Sequence, residues 1–182
     1  MSEILIFPTD TVYGMGVSIF DKEGQHKIYE IKGRSEDKRL SVLCASIEDI
    51  EKIAYLTDDA VKLINEYMPG GLTIILKAKE EIRSDYIYDT IAVRIPNHPI
   101  ALRVLKQNGP MATTSVNYSG RPPMNDYIEI VKEFHDKVFY IYPNAEEASK
   151  VASTIINLTT NPYSLVREGQ IKFNDIINFL NK

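Results

Sequence analysis

A chain of 182 residues with 44% hydrophobic and 25% charged side chains has the composition of an ordinary globular protein, which excludes collagenous, low-complexity and wholly disordered readings. Its 21 lysines and arginines against 25 aspartates and glutamates leave a net charge of −4. That disfavours a protein that coats nucleic acid nonspecifically but leaves room for a local basic pocket.

The first apolar run, Ile4-Leu5-Ile6-Phe7, predicts a buried strand bounded by Pro8. Residues 8–16 read as a loop, and a helix follows over 22–31 with Ile28 and Ile31 on one side. Ser41 to Ala45 reads as a second buried strand. Ser46 and Asp49 then have capping-box spacing ahead of Ile47, Ile50, Ile53 and Ala54, which keep helical periodicity. The next helix carries Ala60, Val61, Ile64 and Met68 and stops at Pro69-Gly70-Gly71. Strands are expected at 72–76 and 91–95. Pro99 opens a helix that Gly109-Pro110 ends, and a further strand at 111–114 runs into a polar loop, 115–123. The remainder alternates: a helix near 128–134, a strand at 138–141, a helix near 145–151, strands near 154–158 and 164–167, and a last helix burying Phe173, Ile176, Ile177 and Leu180. The strands crowd the middle of the chain more than a regular βαβ alternation allows. The expected fold is therefore a single α/β domain over 1–182, a twisted mixed sheet with antiparallel pairs, flanked by helices.

One cysteine, Cys44, and three scattered histidines, His26, His98 and His135, allow neither an internal disulfide nor a metal centre built on thiols or imidazoles, so no metal ligand is assigned. The opening residues lack a signal-peptide pattern and no apolar run reaches the length of a membrane span. The expectation is a cytoplasmic protein that does not contact membranes. Neither the P-loop pattern nor GxGxxG occurs.

Candidate site residues lie where apolar strands give way to polar loops. Pro8-Thr9-Asp10-Thr11-Val12-Tyr13-Gly14 sets two hydroxyls and a carboxylate after the first strand, either as an ordinary turn or as part of a site. Lys32-Gly33-Arg34-Ser35 offers an ammonium and a guanidinium, either for an anion or as a solvated loop. Arg94, inside the apolar strand Ile91-Ala92-Val93-Arg94-Ile95, requires either an internal salt bridge or an anionic ligand. Thr113-Thr114-Ser115-Val116-Asn117 is rich in hydroxyl and amide groups, Ser153-Thr154 opens one strand and Arg167-Glu168-Gly169 closes another. Cations and hydroxyls without a thiol, a histidine pair or a Gly-x-Ser-x-Gly elbow suit the positioning of a polyanion, with catalysis by electrostatics and orientation.

These segments, with Leu40-Ser41-Val42-Leu43, Pro69-Gly70-Gly71-Leu72-Thr73, Ala92-Val93-Arg94-Ile95-Pro96-Asn97-His98-Pro99, Thr114-Ser115-Val116-Asn117-Tyr118-Ser119-Gly120 and Ser153-Thr154-Ile155-Ile156, occur in the order found in one family. The chain resembles the YrdC/Sua5 family (also called TsaC), the threonylcarbamoyl-AMP synthases, in its short form. The resemblance implies a YrdC-like domain with a concave, positively lined groove that makes threonylcarbamoyl-AMP and pyrophosphate from L-threonine, bicarbonate and ATP, with Mg²⁺ on the phosphates. The adenylate would feed the tRNA threonylcarbamoyl-transfer machinery. Carried over by position, Lys32 and Arg34 would be catalytic, and Lys32, Arg34, Thr90, Ser115, Asn117 and Arg167 would bind ATP. Thr11, Arg94, Thr113 and Ser153 would surround the threonine. Gly71, Val116, Asn157 and Arg39 depart from the family pattern, Arg39 standing where many members have proline. Two rival readings keep the groove: a non-catalytic module that binds tRNA or double-stranded RNA, and a carbamoyl-adenylate former acting on another acceptor. The hydroxyl array and the net negative charge favour the synthase over the RNA-binding module, while the sequence does not separate the acceptors.

Overall fold

The structure is a computed structural model that describes residues 2–84, 87–144, 149 and 151–182. Nine strands form one mixed sheet: β1 (Leu5–Phe7), β2 (Gly14–Ser18), β3 (Ser41–Leu43), β4 (Leu72–Lys77), β5 (Thr90–Arg94), β6 (Met111–Ser115), β7 (Tyr140–Ile141), β8 (Thr154–Asn157) and β9 (Ser164–Arg167). Their order across the sheet is β7-β1-β2-β6-β3-β5-β4-β8-β9. The pairs β1–β7, β3–β5 and β4–β8 are parallel and the other five are antiparallel, the mixed sheet that the sequence implies.

Among the described residues six helices accompany it: α1 (Lys22–Lys32), α2 (Ile47–Ile53), α3 (Asp58–Tyr67), α4 (Pro99–Asn108), α5 (Tyr127–Phe134) and α6 (Phe173–Leu180). Their starts follow from capping chemistry. The side chains of Asp21, Ser46, Thr57 and Asp126 each accept a backbone N–H of the first turn, and Pro99 occupies the opening of α4 where its missing donor costs nothing. Helix α1 ends on Gly33, whose φ of 57° is the left-handed conformation that a residue without Cβ adopts freely. The expected helix near 145–151 lies outside the described residues, except for Ser149 and Val151, which are not helical. Strand β2 was not expected; Gly14-Met15-Gly16-Val17-Ser18 reads as a loop because glycine is depleted in strands.

Alternation along the strands sorts the side chains onto two faces. Val42, Ile74, Val93, Ala112 and Ile156 belong to the main core, under the helices. The opposite face carries a second, smaller cluster in which α4 covers Leu5, Phe7, Leu43 and Met111 through Ala101, Val104 and Leu105. Helix α4 covers only part of that face. Further along the same strands, at two-residue spacing, stand Ser41, Thr113 and Ser115, and these line a cavity. Among the described residues no helix is long and apolar enough to cross a membrane.

Candidate active site

Sheet register gathers the polar residues. Direct partners in adjacent strands point to the same face, so the pairings Gly16↔Thr113 and Ser41↔Thr113, Leu43↔Arg94, Thr73↔Ile155 and Ile155↔Arg167 set residues far apart in sequence on one face, in two neighbouring rows. Gly16 matters here because a Cβ on it would lie 2.6 Å from Thr113 Oγ1 and 3.3 Å from the Ala112 carbonyl oxygen. The two glycines that hid β2 from sequence reading are what let the Thr113 side chain fit.

The resulting cavity has a volume of about 240 Å³. Among the described residues its lining includes Arg34, Arg39, Arg94 and Arg167, the hydroxyls of Thr9, Thr11, Ser41, Thr73, Thr113, Thr114, Ser115 and Ser153, and no carboxylate, thiol or imidazole. A neighbouring cavity of about 220 Å³ shares Arg39, Ser41 and Ile155 with it and is mainly apolar, with Leu40, Ile75, Ile87, Ile91 and Val166 in its wall.

Arg94 is 6% exposed. Its Nη2 donates to Asp10 Oδ1 at 2.6 Å, Nη1 to Thr11 Oγ1 at 2.8 Å and Nε to the Gly70 carbonyl at 2.8 Å. Three of the five guanidinium N–H groups are thereby used. Of the two sequence-based explanations for a buried arginine, the internal salt bridge is realised, while the side chain still lines the cavity. Burial lowers its pKa and Asp10 works against that. Asp10 is itself fixed, because the same oxygen accepts the Asn97 N–H at 2.9 Å.

Arg167 closes the far side. Nε and Nη2 both donate to the Ser153 carbonyl, at 3.1 and 2.9 Å, and Nη2 also reaches Ser153 Oγ at 3.2 Å. Its pKa is lowered first by desolvation and then by the positive charge of Arg94. Two guanidiniums thus repel each other in one cavity, an arrangement relieved by an anion. Ser153 Oγ also shares a hydrogen bond of 2.8 Å with Thr73 Oγ1.

Lys32 is placed differently from the arginines. It is 2% exposed, and its ammonium donates to the Ser115 carbonyl at 2.5 Å, the Asn117 carbonyl at 2.7 Å and Asn117 Oδ1 at 2.9 Å. All three donors are committed to the loop after β6. Burial, and secondarily the Arg34 charge, push its pKa down to about 8, so the ammonium still predominates at neutral pH. The loop is fixed further by Ser115 Oγ donating to Asn117 Oδ1 at 2.7 Å and by Asn117 Nδ2 donating to the carbonyls of Tyr118 and Arg121.

Of the residues singled out from sequence, Thr11, Arg34, Arg94, Thr113, Ser115, Ser153 and Arg167 line the first cavity and Thr90 the second. Lys32 and Asn117 line neither; Lys32 holds the Ser115 carbonyl, and Asn117 accepts from both the Lys32 ammonium and the Ser115 hydroxyl. The sequence offered Thr9 and Asp10 only as members of the 8–14 loop, a turn or part of a site, and gave Ser41 and Thr73 no individual role. The signal for Thr73 was its position just inside an apolar strand, and for Asp10 its need for a cation. Burial pushes the Cys44 thiol up, so it offers no thiolate at neutral pH. The arrangement can grip anions and orient hydroxylated ligands, and among the described residues it carries no nucleophile–base pair.

A family model described as "Telomere recombination", built on Sua5, YciO and YrdC proteins, matches residues 1–169. The chain belongs to the Sua5/YciO/YrdC family. Among the relatives of this Sua5/YciO/YrdC protein, the threonylcarbamoyl-AMP synthase of Pyrococcus abyssi is 34% identical over 178 residues, 96% of this chain and 52% of the relative. The putative threonylcarbamoyl-AMP synthase of Methanocaldococcus jannaschii is 38% identical over 169 residues, 93% of this chain and 81% of the relative. The crystal structure of P. abyssi Sua5 complexed with L-threonine superposes with a TM-score of 0.91 at 34% identity, covering 97% of this chain and 53% of that one. The chain therefore spans about half the length of the P. abyssi protein and most of the M. jannaschii one.

Proposed function

We propose that the chain is a threonylcarbamoyl-AMP synthase, forming threonylcarbamoyl-AMP and pyrophosphate from L-threonine, bicarbonate and ATP. The observation that carries this reading is the cavity lined by four arginines and a set of hydroxyls, with no carboxylate among the described residues, beside an apolar cavity that suits a base. Each is smaller than the roughly 300–1,000 Å³ of a typical ligand pocket, and adjoined they reach it. The names of the relatives and the threonine complex of the P. abyssi protein support the same reaction.

In this reading the threonine nitrogen, having lost a proton to solvent, forms a bond to the bicarbonate carbon and water leaves, giving a carbamate. A carbamate oxygen then attacks the α-phosphorus of ATP. The bond from that phosphorus to the bridging oxygen breaks, and pyrophosphate departs with the electron pair. Nucleophile and leaving group are both anionic, so the chain's task is to hold them together against repulsion. Thr11, Thr113 and Ser153 surround the threonine, with Thr73 behind Ser153. The uncommitted N–H groups of Arg94 face its carboxylate. Arg34, Ser115 and Arg167 take the phosphates and Thr90 the nucleoside side. Lys32 and Asn117 act by fixing Ser115.

Among the described residues there is no group of three His, Cys, Asp or Glu side chains that could cage a metal ion. Mg²⁺ would therefore be held by the nucleotide's own phosphates, where it would neutralise charge. We read residues 1–182 as one domain, working in the cytoplasm and handing its adenylate to the machinery that threonylcarbamoylates tRNA. The decisive assay is pyrophosphate release by the purified protein. It should require L-threonine, bicarbonate and ATP together. Release that ignores threonine, or no release accompanied by tight binding of tRNA or double-stranded RNA, would refute the synthase.

A further inference from the structure

Arg39 stands apart from the residues assigned so far. It lies between α1 and β3 and is one of three residues common to both cavities; the other two, Ser41 and Ile155, are uncharged strand residues. Its side chain is held on two sides. Nη1 donates to Thr90 Oγ1 at 2.8 Å, and the guanidinium carbon lies 4.5 Å from the centroid of the Tyr88 ring. The cation–π contact and the hydrogen bond together restrain the side chain and reduce the rotamer entropy lost when it grips a ligand. Among the described residues Nε and Nη2 have no acceptor and no carboxylate pairs with the charge. The loop is tied to the neighbouring cation as well, since Arg34 Nε donates to the Lys38 carbonyl at 2.9 Å and Arg34 Nη2 to the Arg39 carbonyl at 3.3 Å.

A ligand with an apolar ring in one cavity and an anionic chain in the other must cross at Arg39. In a nucleotide, the groups at that crossing are the ribose and the first phosphate. We infer that Arg39 binds the α-phosphate of the nucleotide, a contact additional to those of Arg34 and Arg167. The inference rests on the nucleotide reading given above. A guanidinium held at the first phosphate would stand beside the phosphorus that undergoes substitution, and two free donors can take one phosphate oxygen each.

Calorimetric titration of the purified protein with ATP, AMP and adenosine tests this. Arg39→Ala should weaken AMP and ATP binding by roughly tenfold, the scale of one charge-assisted contact near solvent, and leave adenosine unchanged. Arg39→Lys, which keeps the charge and loses the fork, should fall between. Unaltered AMP binding by Arg39→Ala would overturn the inference. So would an equal loss for AMP and adenosine, which would make Arg39 a wall of the base cavity. A wild-type protein that binds neither AMP nor ATP would overturn the nucleotide reading itself, a result separate from any effect of Arg39.

Discussion

Replacing Asp10 with alanine removes the one anion that, among the described residues, bonds the Arg94 guanidinium; the other partners described there, Thr11 Oγ1 and the Gly70 carbonyl, are neutral. Breaking a buried ion pair by deleting one partner costs about 3–5 kcal/mol, because the remaining charge stays desolvated. Side-chain exposures of 7% for Arg94 and 17% for Asp10 put this pair at the lower end, about 3 kcal/mol, since water can reach the vacated side. The second bond lost, from the Asn97 N–H, is exposed and adds little. For a chain of this length about 3 kcal/mol corresponds to a fall in Tm of roughly 6–12 °C. Asp10→Asn keeps an oxygen acceptor without the charge and should lose about half as much. Urea titration and thermal melts of the three proteins measure both. If Asp10→Ala stays within about 1 kcal/mol of wild type, or if Asn and Ala are equally damaging, then Arg94 does not depend on the Asp10 charge.

Lys32→Met should lower turnover and destabilise the protein, because three oxygens of the 115–117 loop lose their donor. Wild-type turnover should also fall as pH rises through about 8, where the ammonium loses its third N–H, and the Met variant should lack that limb. The unfolded lysine keeps its ordinary pKa of 10.5, so between about 8 and 10.5 the unfolded chain holds the extra proton and this group makes the native state more stable as pH rises. A melt showing Lys32-dependent alkaline unfolding would contradict that sign. Thr73→Val removes the 2.8 Å bond to Ser153 Oγ and should raise the KM for L-threonine several-fold, with the KM for ATP unchanged and stability lowered by about 1 kcal/mol; equal shifts in both KM values would place Thr73 elsewhere. Gly169→Ala would bring a Cβ to 2.0 Å from the Ala152 carbonyl oxygen and 2.7 Å from that of Ser153, so β8 and β9 must separate where Arg167 is anchored. Pyrophosphate release should drop more than tenfold, and unchanged kinetics would show that the Arg167 anchor is dispensable.

Most strands were legible because their apolar runs are short, rich in Ile, Val and Leu, and bounded by Pro, Gly or capping residues, and Ser46 caps α2 as its spacing predicted. Strand β2 was not, since the tolerance of Gly16 depends on Thr113, which faces it across the sheet from 97 positions away. A separation of 84 positions likewise concealed the Asp10–Arg94 pair; either residue alone says only that a partner is needed. Lys32 and Arg34, two residues apart, look equivalent in sequence. The left-handed turn at Gly33 separates them, sending one ammonium into the 115–117 loop and leaving one guanidinium at the cavity. Thr73 and Arg39 became site residues only through register and loop path, which local pattern does not encode.

The mutual repulsion of Arg94 and Arg167 has a practical consequence for handling the protein. Any small anion that settles between them binds the native state alone, so its concentration adds directly to measured stability. Phosphate, sulfate or citrate in a purification buffer would raise the melting point, compete with the ligands under study and make two laboratories disagree. Melts in a zwitterionic buffer, with one anion added back at a time, would turn that nuisance into a measurement of what the cavity prefers.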